Sequence, residues 1–76
     1  MIQEHDQVVL LSNIPEKDLK KDDIGTVIHI YPDKKAYEVE FSTLSGKTIA
    51  VQLLKGHQIR EINSQDLPHT RIVAAQ

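Results

Sequence analysis

Cysteine is absent from the sequence, which excludes a disulfide framework, a thiolate nucleophile and a thiolate zinc site, and is compatible with a reducing compartment. Tryptophan is absent too, and the aromatics come down to two tyrosines and one phenylalanine. That is too few rings for the aromatic groove that proline-rich peptides need, or for a platform on which single-stranded nucleic acid would stack. No apolar run approaches the roughly 20 residues that span a bilayer. Residues Met1 to Asp6 are polar and acidic where a secretory signal would be basic and then apolar. The expectation is a cytoplasmic protein with no membrane association. An excess of positive charge is also missing: 9 Lys and Arg stand against 11 Asp and Glu, a formal charge of −2. No overall field therefore draws the chain to phosphate backbones or anionic lipid, which weighs against nucleic acid as a partner.

What is present is enough for one small β domain. A chain of 76 residues has room for a single hydrophobic core of modest stability, which oligomerisation would reinforce. Gln7 to Leu11 (QVVLL) is a short, β-branched-rich run that reads as a first strand. Ser12 to Asp23 carries Pro15 and many charges and reads as a long loop, with Ile14 and Leu19 tucked onto the core and one helical turn available from Glu16 to Lys20. Ile24 to Tyr31 (IGTVIHIY) is the strongest strand signal, and Pro32-Asp33-Lys34-Lys35 is a turn. Ala36 to Ser42 alternates with period two, placing Tyr37, Val39 and Phe41 on one face and Glu38 and Glu40 on the other. After a turn at Thr43 to Gly46, Lys47 to Leu54 (KTIAVQLL) alternates again, with Ile49, Val51 and Leu53 expected inward and Thr48 and Gln52 outward. Lys55 to Gln58 breaks the run, and Ile59 to Ile62 is a short closing strand.

No segment has the 3.6-period apolar stripe of a helix able to cover an open sheet. The expected fold class is therefore mostly β: a small five-stranded SH3-like barrel over residues 1–62, with a long loop between strands 1 and 2 and a C-terminal tail over 63–76. Closure would remove the sheet edges.

The string LKKDDIGTVIHIYPDKKAYEVEF, Leu19 to Phe41, carries a resemblance. Its polar stretch, Gly-Thr-Val, apolar strand, turn and alternating strand ending Glu-Phe resemble the core of SH3-like barrels, and are especially similar to short bacterial proteins grouped as a domain of unknown function. The similarity runs from Gln7 to about Ile62. The Gly-x-Val core also looks like that of KOW-type translation modules and small photosynthetic accessory barrels. The resemblance implies a barrel that meets RNA, ribosomal proteins or partner enzymes through its loops, and some relatives beside toxin-like genes imply an antitoxin or immunity role. Gly25 fits the same reading physically: a residue without Cβ permits either a positive φ or close approach of a neighbour as the chain enters the strand.

Chemistry is sparse. The four histidines, His5, His29, His57 and His69, match no compact ligand spacing, so no metal is expected. No serine sits in a nucleophile elbow, and the Glu38 and Glu40 pair reads as solvated charge on a sheet face, which limits aggregation. No catalytic residue or cofactor follows, and the chain is not expected to be an enzyme. The candidate binding residues lie in the long loop and the first turn: Lys17, Lys20, Lys21, Asp22 and Asp23, then Tyr31, Lys34 and Lys35, on loops that can share one rim of a barrel. The function that follows is a noncatalytic protein-interaction module. An antitoxin or immunity protein and an RNA-binding accessory barrel are the alternatives. The tail adds one further expectation, that Arg71 to Ala75 joins a second copy as a strand and makes a homodimer.

Overall fold

The computed structural model describes residues 1–73. Five strands form a single antiparallel sheet: β1 Gln7–Leu10, β2 Ile24–Ile30, β3 Tyr37–Ser42, β4 Thr48–Leu54 and β5 Ile59–Glu61. Their order across the sheet is β4-β3-β2-β1-β5. Three single-turn 3₁₀ segments, Pro15–Lys17, Pro32–Lys34 and Gly56–Gln58, are the remaining regular structure. No helix among the described residues is long and apolar enough to cross a membrane.

The expected closure of the barrel does not occur. β4 and β5 are the two ends of the hydrogen-bonded order and do not pair with each other. β5, three residues long, spends its pairing on β1, where Leu10 faces Ile59 and Val8 faces Glu61. The sheet instead buries its inner face without a helix, by bringing residues from all five strands into one cluster. Val8 and Leu10, Val27, Tyr37, Val39, Phe41, Leu54 and Ile59 form it, with Ile14 and Leu19 from the long loop. Those two loop residues pair as an isolated bridge around the Pro15–Lys17 turn, so the loop is a cap on the core with charged residues on its outside. Ile14 and Leu19 thus do what a packing helix does in larger sheets.

Two bulges decide which side chains join that core. Between Val27 and His29 the register with β3 shifts by one residue. Val27 is fully buried and Ile30 packs against the core, while Ile28 and His29 are both exposed. A second shift falls between Phe41 and Ser42, whose partners on β4 are Ala50 and Thr48. Beyond it, Tyr37 lies opposite Leu54 and Val39 opposite Gln52, and directly opposed residues share a face. Ala50, Gln52 and Leu54 therefore face inward with β3's core residues, and Val51 and Leu53 face outward. This reverses the expected phase of β4. Leu54 is 1% exposed, against 47% for Val51 and 54% for Leu53; Ile49, at the bulge, is half-buried against the core as expected.

Residues 63–73 fold back across the outer face of β5, β1 and β2. Arg60 on β5 holds Asp66 through two hydrogen bonds of 2.9 and 2.8 Å, and Arg71 holds Asp23 through two of 2.8 and 2.7 Å. Between these clamps, Leu67, Pro68 and His69 line a hollow with Val9, Ile24 and Ile62. That contact explains why Val9 is only 5% exposed on the face opposite Val8 and Leu10. Of the strand expected to join a second copy, Arg71 is engaged within its own chain, and Ala74 and Ala75 lie outside the described residues.

Candidate binding surface

The outer face is divided in two. The tail occupies the half over β5, β1 and the start of β2, and its residues 68–73 share a hollow with Thr26, Glu40 and Ser42, whereas the rest of the half over β3 and β4 is open, with Val51 and Leu53 exposed. Two cross-strand rows run through the open half: Thr26, Glu40 and Val51 in one, His29, Glu38 and Leu53 in the other. Each row ends in an acid on β3 and an aliphatic side chain on β4. Ile28, pushed outward by its bulge and 39% exposed, adds a third apolar residue on β2.

The acids are ordered by hydroxyls. Tyr31 Oη donates to Glu38 Oε1 at 2.8 Å, and Thr48 Oγ1 donates to Glu40 Oε2 at 2.7 Å. The bond to Glu38, with desolvation and the Glu38 charge behind it, holds the Tyr31 phenol above its ordinary range. His29 meets the Tyr31 ring edge-on, with ring centroids 4.6 Å apart, and lies 3.7 Å from Glu4. Neither Glu38 nor Glu40 is in an ion pair among the described residues.

At the border of this face runs β4, an edge that nothing blunts among the described residues. Thr48 to Leu54 has seven residues without a charge or a proline, and Lys47 and Lys55 flank it. Among the described residues its outward hydrogen-bonding groups have no strand partner, the situation that native edges usually block with charge, proline or short length. The opposite edge shows those devices: β5 is three residues long and carries Arg60 and Glu61. The expectation that closure removes edges therefore fails at one specific strand, and that strand also carries Val51 and Leu53.

The residues singled out from the sequence are dispersed. Lys17, Lys20 and Lys21 are exposed on the long loop before β2; Lys34 and Lys35 are exposed on the turn after it. Seven strand residues separate the two groups, and no hydrogen bond or ion pair links them among the described residues. Lys34 Nζ meets the Met1 sulfur instead. Asp22 adopts a left-handed φ of 78° and donates its N–H to the Leu10 carbonyl. Asp23 is consumed internally, accepting from the Lys20 N–H and from Arg71, with His69 at 3.7 Å. Burial pushes its carboxyl up, but the Arg71 bonds, the Lys20 N–H, the Arg71 charge and the neighbouring His69 outweigh this and leave it below the ordinary range. Tyr31 alone among those residues belongs to the open face. Among the described residues no group of three or more His, Asp or Glu side chains is placed to hold a metal ion.

Over residues 4–61 the sequence matches the family described as Domain of unknown function (DUF4926), a span that takes in all five strands and stops before the tail. The chain belongs to the DUF4926 family. No curated protein and no solved structure matches it. The family match covers both halves of the outer face, the acids of β3 and the edge β4, but neither of the tail residues that clamp the other half, Asp66 and Arg71.

Val51 and Leu53 were legible as apolar strand residues but not as exposed ones. KTIAVQLL carries aliphatic side chains on both parities, Ile49, Val51 and Leu53 against Ala50 and Leu54, so period two alone favours the wrong face by one residue. The tail clamps left no sequence signal either, since Asp23 and Arg71 stand 48 positions apart.

Proposed function

We propose that this DUF4926 protein is a noncatalytic protein-interaction module whose partner meets the open half of the outer face, over β3 and β4. One observation carries the reading: Val51 and Leu53 stand exposed on an uncharged edge strand. Exposed aliphatic residues scattered singly need no explanation, but a pair on a bare edge, with Ile28 on the same face, is the arrangement that association buries. The loop residues from Asn13 to Asp23 and the Pro32 to Lys35 turn then form the rim, where charge governs encounter more than affinity. No observation on this surface favours the antitoxin or RNA-binding alternatives, and the lysines are divided between the two ends of β2.

The test is a photo-crosslinking amino acid placed in turn at Leu53, at Lys17 and at Leu67, with irradiation in the native host. Adducts with another protein from the Leu53 position, and not from Leu67 over the tail-covered half, are expected. Crosslinking confined to Lys17, or to nucleic acid, would overturn this placement.

A further inference from the structure

The partner's chemistry can be narrowed from the same face. We infer that β4 accepts an extended segment of another protein as a sixth strand, and that this segment alternates basic and apolar residues, with its basic side chains reading Glu38 and Glu40. The inference rests on the reading of this face as a protein-binding surface and adds the mode and the charge of what binds.

Three features converge on it. The first is the backbone: a seven-residue edge without charge or proline offers main-chain hydrogen bonds to an incoming strand, the basis of β-augmentation. The second is the inner face. An added strand would place every second side chain beside Ala50, Gln52 and Leu54, continuing the row that Phe41, Val39 and Tyr37 begin; half-buried Ala50 and Gln52 leave that border of the core incompletely covered, which calls for apolar residues at those positions. The third is charge complementarity on the outer face. Glu38 and Glu40 have hydroxyl partners but no ion-pair partner among the described residues, and they stand one strand behind Val51 and Leu53. A strand added to β4 lies about 9.6 Å from β3, two strand spacings. Arginine or lysine spans that distance by laying its methylenes over Val51 and Leu53 and ending on the carboxylates, as long basic side chains do on apolar surface. An acidic segment would meet Glu38 and Glu40 across the same gap and be repelled.

The probe is a blocked ten-residue peptide alternating leucine and arginine, titrated into the full chain while backbone amide shifts are followed. Shift changes should concentrate on Thr48–Leu54 and its β3 neighbours. Methylating alternate peptide nitrogens removes the donors but keeps every side chain, and should weaken binding by about tenfold or more if strand pairing is the mode. Replacing the arginines by glutamates should abolish binding. The double variant Glu38→Gln and Glu40→Gln keeps an acceptor for Tyr31 and Thr48, and should weaken binding by about tenfold with an unchanged circular dichroism spectrum. Equal binding by the methylated or the glutamate peptide would overturn the inference. So would shifts centred on Asp22 and Asp23, or concentration-dependent self-association that already covers β4 with a second copy. A partner crosslinked at Leu53 in cells while this peptide fails would leave the binding surface standing and remove the basic strand.

Discussion

Gly25 shows how far one residue constrains the sheet. Its φ does not lie in the left-handed region, so conformational freedom is not what the position needs. A Cβ built there would stand 2.5 Å from Val39 Cγ1 and 2.9 Å from a Phe41 ring carbon, and both neighbours are buried on β3. The glycine lets β2 pass over two large inward side chains. Gly25→Ala must therefore displace Val39 or Phe41 from the core, and overpacking of this kind typically costs about 1–3 kcal/mol. Chemical denaturation should show an unfolding free energy lowered by that amount and a lower midpoint; a midpoint equal to that of the unmodified protein would mean that Val39 and Phe41 repack freely. Gly46 is the contrasting case, with a φ of 94° and open space around it. There the strain of any side chain comes from the backbone alone.

At the level of elements, strand positions were readable and strand phases were only partly so. β1, β2 and β3 lie within one residue of where their apolar runs place them, and β3 keeps its phase because Tyr37, Val39 and Phe41 alternate with two glutamates, leaving no competing face. β4 has no charged residue to mark its outer side, and it carries a bulge at Ile49, where the partners of Phe41 and Ser42 jump from Ala50 to Thr48, so that Ile49 and Ala50 both turn toward the core and a strict period of two does not hold along the strand. The difference is measurable with one pair of variants. Leu54→Ala removes a side chain buried to 1% exposure and should cost about 2–5 kcal/mol. Leu53→Ala acts on a side chain that is half exposed and should stay within about 1 kcal/mol. If denaturation ranked the two in the opposite order, β4 would carry the alternation first read from its sequence, and the exposed aliphatic pair on which the proposed surface depends would be gone.

Across the whole molecule, a sheet with two edges and no covering helix among the described residues has two outer half-faces to manage, and the described residues cover mainly one of them. The cover is the tail, held by two carboxylate–guanidinium clamps rather than by a large apolar interface, so its docking is sensitive to acid. The Asp66 carboxyl is drawn down to about 2 by the Arg60 hydrogen bonds and the Asn63 N–H, and Asp23 is lowered by Arg71 and Lys20 against the effect of burial. Both folded-state values lie below the 3.8 of an unperturbed aspartate. The stabilisation they supply is thus fully present above about pH 4 and is lost as the pH falls toward about 2, because Asp23 and Asp66 take up protons more readily once the tail is undocked. Amide hydrogen exchange or the Arg71 Nε–H resonance, followed through that window, should report release of residues 63–73 before the strands lose protection. Arg71→Ala should produce the same release at neutral pH, leaving Asp23 without its guanidinium and uncovering Ile24 and Val9, with a loss of about 1–3 kcal/mol from the charged hydrogen bonds. A tail that stays protected at pH 2, or one that survives Arg71→Ala unchanged, would show that its contacts over Val9 and Ile24 hold it without the clamps. The division of the outer face would then rest on apolar packing, and acid would not distinguish its two halves.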